Sequence, residues 1–184
     1  LTAAIAVDAL GKENVVGISM PSDFSSEHSK TDASKLSDNL GIEFKTISIN
    51  SIYDLILEQL NPFFRDTPVG LAEENLQARI RGNILMSVSN KINALVLSTG
   101  NKTELALGYC TIYGDMCGAI SVISDINKLQ VYAISKWIND SANMEIIPKS
   151  VIDKRPSAEL SDNQYDPFDY NKVSPMVDYI INDL

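Results

Sequence analysis

Hydrophobic and polar positions along the chain follow two periods, one typical of helices and one typical of buried strands. Apolar residues three and four positions apart indicate amphipathic helices, whereas short continuous apolar runs indicate strands inside a sheet. The longest helical pattern covers 73–92, with its apolar positions on one face: Leu76, Ile80, Ile84, Leu85 and Val88. The remaining pattern predicts strands at 15–20, 44–49 and 94–97, and helices at 2–10, 52–60, 129–138 and 174–184. Because strands alternate with helices, we expect right-handed parallel crossovers and an α/β fold: a doubly wound parallel sheet with helices on both faces.

Glycine and serine residues place the ends of the N-terminal helices. Gly11 directly follows the first helical pattern and suits the position after a helix C-terminus. Ser25 or Ser26 can cap the start of a second helix, which runs to about residue 40 and stops at Gly41. Residues 159–171 are polar and interrupted by proline, so they predict a loop.

The composition fits one globular domain over residues 1–184. A chain of 184 residues can bury a sizeable core, and its hydrophobic content of 45% is ordinary for a cytoplasmic domain. The net charge of −9 argues against non-specific binding to nucleic acid, which needs a basic surface. It does not exclude an anionic nucleotide, since a few local cations and backbone N–H groups suffice to bind one. No apolar run reaches the roughly 18 residues that cross a bilayer, so we expect no membrane partner.

The stretch 95–118 carries the strongest signal for a ligand site. A short apolar run at 95–97 is followed by hydroxyl, amide, charged and glycine residues. Core packing requires apolar periodicity, and this stretch lacks it. In open parallel sheets, ligands bind at the carboxyl ends of the strands. The sequence therefore predicts a polar ligand site at the end of a buried strand.

Two residues of that stretch, Thr99 and Glu104, offer a hydroxyl and a carboxylate within one turn. Carboxylate oxygens suit Mg²⁺, a hard cation that often bridges to phosphates. A capped strand-to-helix turn with a solvated Glu104 is an equally good interpretation of the same residues.

Four further residues have a chemical and a structural interpretation. Asn75 and Arg79 share one face of the long helix. Arginine suits bidentate binding of phosphate or carboxylate. Spacing alone, however, favours a solvated polar face. Lys128 at the start of a helix opposes the helix dipole, which indicates a phosphate partner, although a surface lysine is the more common explanation. Ser157 can bind a phosphate or cap a helix, and the sequence favours the cap. The two cysteines and the single histidine match no usual metal spacing, and we expect both thiols to be free.

Four segments together resemble the synthetase domain of NAD⁺ synthetases, particularly the glutamine-dependent type. They read VVGISMPSDFSSEHSKTDA, EENLQARIRGNILMSVSNK, LVLSTGNKTELALGYCTIYGDM and DKRPSAEL, and they occur in family order over about residues 1–160. The resemblance implies an ATP-dependent amide ligase with a Rossmann-like, adenine-nucleotide α-hydrolase-like fold. The family adenylates the nicotinate carboxylate of deamido-NAD⁺ and releases pyrophosphate, and ammonia then displaces AMP to give NAD⁺.

The resemblance also implies roles for individual residues. The implied ATP contacts are Met20, largely through its backbone, Thr99, Lys128 and Ser157. Asn75 and Arg79 are the implied contacts to deamido-NAD⁺. Glu104 is the implied Mg²⁺ ligand, and Asp115 is the carboxylate near the incoming ammonia, so Asp115, Glu104 and Lys128 form the implied catalytic set.

Some parts of the family pattern lie outside residues 1–184. We expect the family's Ser-Gly-Gly-x-Asp-Ser pyrophosphate loop to precede Leu1, and the basic C-terminal tail is absent from the sequence. Ile112 stands where ammonia-dependent members carry a lysine, whereas glutamine-dependent members are apolar there. We therefore expect ammonia to come from glutamine through a separate glutaminase domain. The resemblance further implies a homodimer or a higher homo-oligomer, with the helix at 73–92 at or near the interface.

Two other functions are compatible with parts of the sequence. Another adenylating amidotransferase of the same fold, similar to GMP synthetase, would use the same nucleotide chemistry, but EENLQAR followed by YGDM argues against it. A non-catalytic nucleotide-binding or dimerisation module would explain the absence of the glycine-rich loop.

Overall fold

Residues 1–183, which the computed structural model describes, form eight α-helices, a short 3₁₀ turn at Lys12–Asn14 and four β-strands. The helices are α1 (Thr2–Leu10), α2 (Glu27–Leu40), α3 (Asn50–Phe64), α4 (Leu71–Ile92), α5 (Lys102–Ala106), α6 (Lys128–Ala142), α7 (Lys149–Asp153) and α8 (Tyr170–Asp183). The strands are β1 (Val16–Ser19), β2 (Glu43–Thr46), β3 (Leu97–Ser98) and β4 (Ile120–Ser121). None of the described helices combines the length and the apolar character needed to cross a membrane.

The strands pair in parallel, as predicted for an α/β fold, but the described residues form two pairs rather than one continuous sheet. Strand β1 pairs with β2, and the ladder continues past Ser19, whose carbonyl accepts the N–H of Ile47 at 2.8 Å. Strand β3 pairs with β4, and the hydroxyls of Ser98 and Ser121 lie 2.6 Å apart across that pair. The carboxyl ends of β1 and β3 lead into the segments that carry the candidate site.

Strand β3 is shorter than the predicted strand at 94–97, because Ala94 at the start of that prediction instead completes the end of α4. Asn93 adopts a left-handed conformation, and the N–H of Ala94 bonds back to the carbonyl of Ser89. The Ser89 hydroxyl in turn donates to the Ala94 carbonyl at 2.6 Å. These bonds use the polar groups that a strand ladder would need, and Leu95 is left 69% exposed.

Capping residues set the N-terminal helices as predicted. Helix α1 ends at Gly11. Ser26 is the cap of α2, since its side chain accepts the N–H of Ser29 at 3.2 Å, and Gly41 ends that helix in the left-handed region.

Other helices were predicted too short: α3 extends to Phe64, and α6 extends to Ala142. Helix α8 starts at Tyr170, so the predicted loop at 159–171 ends two residues earlier than expected. The short elements α5, α7 and β4 were not predicted, because two to five residues show no period.

Helix α4 is the longest helix, as predicted, but its buried face differs from the apolar stripe in the sequence. Of the five apolar positions named above, only Ile80 is buried, and the others are half-buried. Apart from Ile80, the buried positions of this helix are polar or small residues: Glu73, Gln77, Ala78 and Gly82. The sequence period therefore identified the helix but not the side on which the rest of the molecule packs.

Two glycines allow the loop 111–118 to lie directly on α4. A Cβ at Gly82 would come within 2.7 Å of the carbonyl oxygen of Tyr113, and a Cβ at Gly114 within 2.8 Å of the Ala78 Cβ. Contacts this short are not tolerated by real Cβ atoms, so the backbones can approach this closely only without side chains. This contact sets the position of the loop that carries Asp115.

We expect Gly82→Ala to lower the free energy of unfolding by about 1–2 kcal/mol. Overpacking typically costs about 1–3 kcal/mol, and this exceeds the roughly 1 kcal/mol that alanine gains over glycine inside a helix. The matched control is Asn83→Ala at the neighbouring exposed position, which should change the free energy of unfolding by less than about 0.7 kcal/mol. Chemical denaturation measures both, and a Gly82→Ala protein as stable as the parent would contradict the close contact.

Candidate functional site

The N-termini of α5 and α6 lie side by side after β3 and bring one carboxylate to one ammonium group. The N–H of Lys102 donates to the carbonyl of Ile126 at 2.9 Å, and the N–H of Lys128 donates to the Thr103 hydroxyl at 3.1 Å. With the two helices held in this way, Glu104 Oε1 lies 2.7 Å from Lys128 Nζ. The pair therefore joins residues 24 positions apart in sequence.

Both members of this pair are largely shielded from solvent. The side chain of Glu104 is 19% exposed and that of Lys128 is 18% exposed. Asn101 caps α5 and fixes Glu104 from the other side, because the N–H of Asn101 donates to Glu104 Oε2 at 3.1 Å. The capped strand-to-helix turn is confirmed, but its Glu104 is not solvated, and the interpretation of a surface Lys128 is wrong. Thr99, at the end of β3, is exposed.

A second group of polar residues joins α4 to the loop 111–118. The Thr111 hydroxyl donates to Asn75 Oδ1 at 2.6 Å, and the N–H of Thr111 donates to Asp115 Oδ1, also at 2.6 Å. Arg79 Nε donates to the carbonyl of Ile112 at 3.3 Å. Asp115 and Arg79 are exposed, and among the described residues no hydrogen bond uses Asp115 Oδ2 or the two terminal nitrogens of Arg79.

The solvated polar face that the spacing favoured holds for Arg79 but not for Asn75, which is half-buried, nor for two other polar residues of α4. Gln77 has no exposed surface, and its amide Nε2 donates to the carbonyl of Leu160 at 2.8 Å. Arg81 Nε donates to the carbonyl of Met20 at 2.9 Å, and burial lowers the pKa of Arg81 while Glu159 opposes that shift.

Ser157 belongs to a loop and does not cap a helix, so the favoured interpretation of this residue was wrong. Its hydroxyl donates to the carbonyl of Gln164 at 2.6 Å and accepts the N–H of Glu159 at 3.1 Å. Glu74 on α4 holds the same loop, since it accepts bonds from the Ser161 hydroxyl at 2.8 Å and from the Gln164 amide at 3.1 Å.

Glu159 connects this loop to the start of α2. Its Oε1 accepts the hydroxyls of Ser26 and Ser29 at 2.8 and 2.9 Å and also contacts Lys154 Nζ. Burial alone would raise the pKa of Glu159, but the hydrogen bonds from Lys154, Ser26 and Ser29 outweigh it and leave the pKa lowered. The carboxylate is therefore charged at neutral pH, and the loop is fixed through that charge.

Cys110 lies in the short segment of chain between Glu104 and Asp115, which belong to the two polar groups described above. Burial raises the pKa of the Cys110 thiol, and Asp115 and Glu104 both add to that shift. Asp115 and Glu104 therefore act on the same thiol, although their side chains do not hydrogen-bond to each other. Cys110 and Cys117 are both free and half-buried.

The described residues hold no cluster of three or more carboxylate, thiol or imidazole side chains that could bind a metal alone. Glu104 lies within the predicted stretch 95–118, and its two oxygens accept bonds from Lys128 and Asn101. Mg²⁺ is often bound by one or two carboxylates together with water and substrate phosphates. Glu104 fits that mode of binding, in which the nucleotide supplies most of the ligands.

Sequence reasoning missed an aromatic and acidic group behind the Glu104–Lys128 pair. Tyr170 donates its hydroxyl to Asp166 Oδ2 at 2.7 Å, and both residues are buried. The Lys128 ammonium lies 5.2 Å from the centre of the Tyr170 ring. Asp166 and Tyr170 both lie within 159–171, the stretch predicted as a polar loop. The only sequence signal there is the run Asp-Pro-Phe-Asp-Tyr at 166–170, which adds two aromatic residues to a mainly polar stretch.

Comparisons with known proteins give a consistent result. The chain matches the NAD synthase family over residues 1–182. A glutamine-dependent NAD(+) synthetase of Synechocystis sp. is 56% identical over 166 residues, which cover 90% of this chain and 29% of that protein. The chain therefore spans less than a third of the length of this relative.

Solved structures support the same fold. Glutamine-dependent NAD+ synthetase from Acinetobacter baumannii, in complex with ADP, aligns with a TM-score of 0.82 at 44% identity, over 85% of this chain and 30% of that one. NMN synthetase from Francisella tularensis aligns with a TM-score of 0.85 at 29% identity, over 96% of this chain and 71% of that one. The predicted adenine-nucleotide α-hydrolase-like α/β fold is thereby confirmed.

We expect the stabilising effect of Glu159 to depend on pH. Because its folded-state pKa is lowered, its contribution is present above the unfolded-state pKa of about 4.3 and is lost as pH falls through the folded-state pKa. Glu159→Gln should lower the free energy of unfolding by about 1–2 kcal/mol at pH 7 and by progressively less below about pH 4.5.

Denaturant titrations of parent and variant at several pH values measure this difference. Glu43→Gln is the control, because Glu43 forms an exposed pair with Lys45 and such pairs are worth little. A difference between parent and Glu159→Gln that stays constant from pH 7 to pH 3.5 would contradict the assigned role.

Proposed function

The chain belongs to the NAD synthase family, and on this basis we propose that it is the synthetase part of a glutamine-dependent NAD⁺ synthetase. In the proposed reaction, deamido-NAD⁺ is amidated at the expense of ATP. The observation that carries the proposal is the shielded Glu104–Lys128 pair at the carboxyl end of β3, within a chain that matches the family along almost its whole length. Family membership does not favour a different adenylating amidotransferase such as a GMP-synthetase-like ligase.

The chemistry explains why such a site needs cations. A carboxylate is a poor electrophile and must first acquire a leaving group. An oxygen of the nicotinate carboxylate attacks the α-phosphorus of ATP, pyrophosphate departs, and an acyl-adenylate forms. Ammonia then adds to the acyl carbon and AMP leaves with its electron pair, giving the amide. The first step develops negative charge on pyrophosphate, which preorganised cations and N–H groups stabilise.

Lys128 is the proposed phosphate-binding cation. In the structure its ammonium is neutralised by Glu104 at 2.7 Å. The triphosphate would offer Lys128 a more highly charged partner, which would free Glu104 to hold Mg²⁺. Bound Mg²⁺ would supply further charge neutralisation to the phosphates, with Glu104 as its protein ligand. Thr99 and Ser157 are the proposed hydroxyl contacts to ATP, and Met20 lies at the proposed adenine end.

Asn75 and Arg79 are the proposed contacts to deamido-NAD⁺. They lie on the face of α4 that meets the loop 111–118, and Arg79 uses only its Nε toward Ile112. Its two terminal nitrogens keep the planar fork that binds carboxylate or phosphate in bidentate fashion. Asp115 on the same loop is the proposed carboxylate beside the incoming ammonia, where its second oxygen can accept a proton from the adding nitrogen.

The nitrogen source and the assembly complete the proposal. Ammonia would come from glutamine through a separate glutaminase domain, since the chain spans 29% of the Synechocystis relative's length. A homodimer would form through or near α4, whose second half exposes Met86 and Ile92, 40% and 55% respectively. We place this assembly in the cytoplasm.

The full-length protein tests the proposal directly. NAD⁺ formation is measured with deamido-NAD⁺ and ATP, supplied with either glutamine or ammonium chloride. The proposal predicts NAD⁺ and AMP in equal amounts with either nitrogen source. Binding of ATP without formation of NAD⁺ or AMP would instead identify a non-catalytic nucleotide-binding module.

We expect Glu104→Gln to lower the rate of AMP formation on the order of 10²-fold while the fold is retained. Glutamine keeps nearly the same shape and can still accept the capping bond, but it removes the charge proposed to hold Mg²⁺. The control is Glu58→Gln, at an exposed position on α3, which should keep the parent rate. Parent-like pyrophosphate release by Glu104→Gln at saturating Mg²⁺ would refute this role.

We expect Arg79→Lys to raise the KM for deamido-NAD⁺ about ten- to a hundredfold and to leave the KM for ATP near the parent value. Lysine keeps the charge but loses the fork, and a charged hydrogen bond is worth roughly 1.5–3 kcal/mol. Arg65→Lys, at the exposed end of α3, is the matched control. If the ATP dependence shifts and the deamido-NAD⁺ dependence does not, Arg79 binds the other substrate.

A further inference from the structure

The buried side chains of Asp166 and Tyr170 lie directly behind the proposed phosphate-binding lysine. Tyr170 is 7% exposed and Asp166 is 8% exposed, although both are polar. The Tyr170 hydroxyl donates to Asp166 Oδ2 at 2.7 Å, while Asp166 Oδ1 is buried with no hydrogen-bond partner in the described part of the chain. Burying a carboxylate is costly, and the Tyr170 hydroxyl offsets that cost at Oδ2 only.

The Tyr170 ring is fixed on several sides. Its hydroxyl is held by Asp166, and the edge-to-face neighbour Phe168 lies 6.2 Å away between ring centres. Burial raises the pKa of Tyr170, and Asp166 adds to the shift, so the hydroxyl stays protonated and continues to donate. The ring therefore presents one defined face.

That face lies beneath the ammonium group of Lys128, 5.2 Å from Nζ to the ring centre. An ammonium within about 6 Å of an aromatic face is attracted by the ring quadrupole. Lys128 thus has two supports, the Glu104 carboxylate at 2.7 Å and the Tyr170 face. Of these two supports only the Tyr170 ring is uncharged, so it does not compete with an incoming phosphate for Lys128 when the phosphate replaces Glu104.

We infer that Tyr170, oriented by Asp166, is a positioning residue that holds Lys128 in place for the phosphates of ATP. The inference rests on the proposed function, because it assumes that Lys128 binds ATP. A lysine has a flexible four-carbon stem, and without a fixed support its ammonium would have to be ordered anew by each nucleotide. The Tyr170 face removes that cost.

Asp166 also connects this support to the other proposed ATP contact. The N–H of Asp166 donates to the carbonyl of Pro156 at 3.0 Å, immediately before Ser157. One residue therefore orients Tyr170 beneath Lys128 through its side chain and holds the Ser157 loop through its backbone. The two proposed phosphate contacts share a single buried anchor.

A series of fluorinated rings at position 170 tests the inference in the full-length protein. Tyr170 is replaced by phenylalanine, then by mono- and trifluorophenylalanine, which keep the ring shape but progressively weaken its negative face. We expect the KM for ATP to rise with each step, by about three- to tenfold between phenylalanine and trifluorophenylalanine. The KM for deamido-NAD⁺ should not change.

The same series at Tyr179 is the matched control. Tyr179 lies on the same helix and is 59% exposed, so fluorination there should leave both KM values unchanged. Tyr170→Leu, which removes the face, should weaken ATP at least as much as trifluorophenylalanine does. A KM for ATP that is flat across the position-170 series would overturn the inference, as would equal rises for both substrates.

Direct titration with a non-hydrolysable ATP analogue separates this inference from the proposed function. If the parent protein forms no NAD⁺, the proposed reaction is wrong, and the analogue's affinity across the series still decides whether Tyr170 supports a phosphate-binding lysine. If the parent is active and the affinity is independent of fluorination, only the role of Tyr170 is wrong.

Discussion

The hydrogen bonds between polar side chains of α4 and the neighbouring loops are the constraint on which most of the site depends. Through Glu74, Asn75, Gln77, Arg79 and Arg81 they fix the end of β1 at Met20, the loop 111–118 and the loop around Ser157. The Glu104–Lys128 pair is held separately, by bonds between α5 and α6. A buried polar group is costly unless it is paired, so each of these bonds fixes a loop as well as satisfying a side chain. Gly82 lets the loop 111–118 come close enough for such bonds to form.

Electrostatics supplies the second level of organisation. The chain carries a net charge of −9, yet both proposed substrates are anionic. The site resolves this by placing cations beside acids: Lys128 lies against Glu104, and Lys154 lies against Glu159. An incoming phosphate could replace Glu104 as the partner of Lys128, and the released carboxylate would then be paired by the proposed Mg²⁺. The local arrangement of charges, and not the net charge, decides which ligands the site accepts.

The sequence predicts those features that depend on local signals. Ser26 and Gly41 bound α2 as expected, because capping is decided by the residue itself and its nearest neighbours. Glu104 and Lys128 are identifiable as candidates, but their pairing depends on backbone bonds between segments far apart in sequence. The role of Tyr170 could not be predicted, since a polar stretch with no period gives no sign of which residue becomes buried.

The central claim is that this site activates a carboxylate by transferring AMP to it. Oxygen isotope transfer tests this most directly: deamido-NAD⁺ labelled with ¹⁸O in its nicotinate carboxylate is converted by the full-length protein with ATP and ammonia. An acyl-adenylate requires that AMP leave with one carboxylate oxygen, so mass spectrometry should find one ¹⁸O in the phosphate of the AMP product. Unlabelled AMP, or label in inorganic phosphate, would contradict the account.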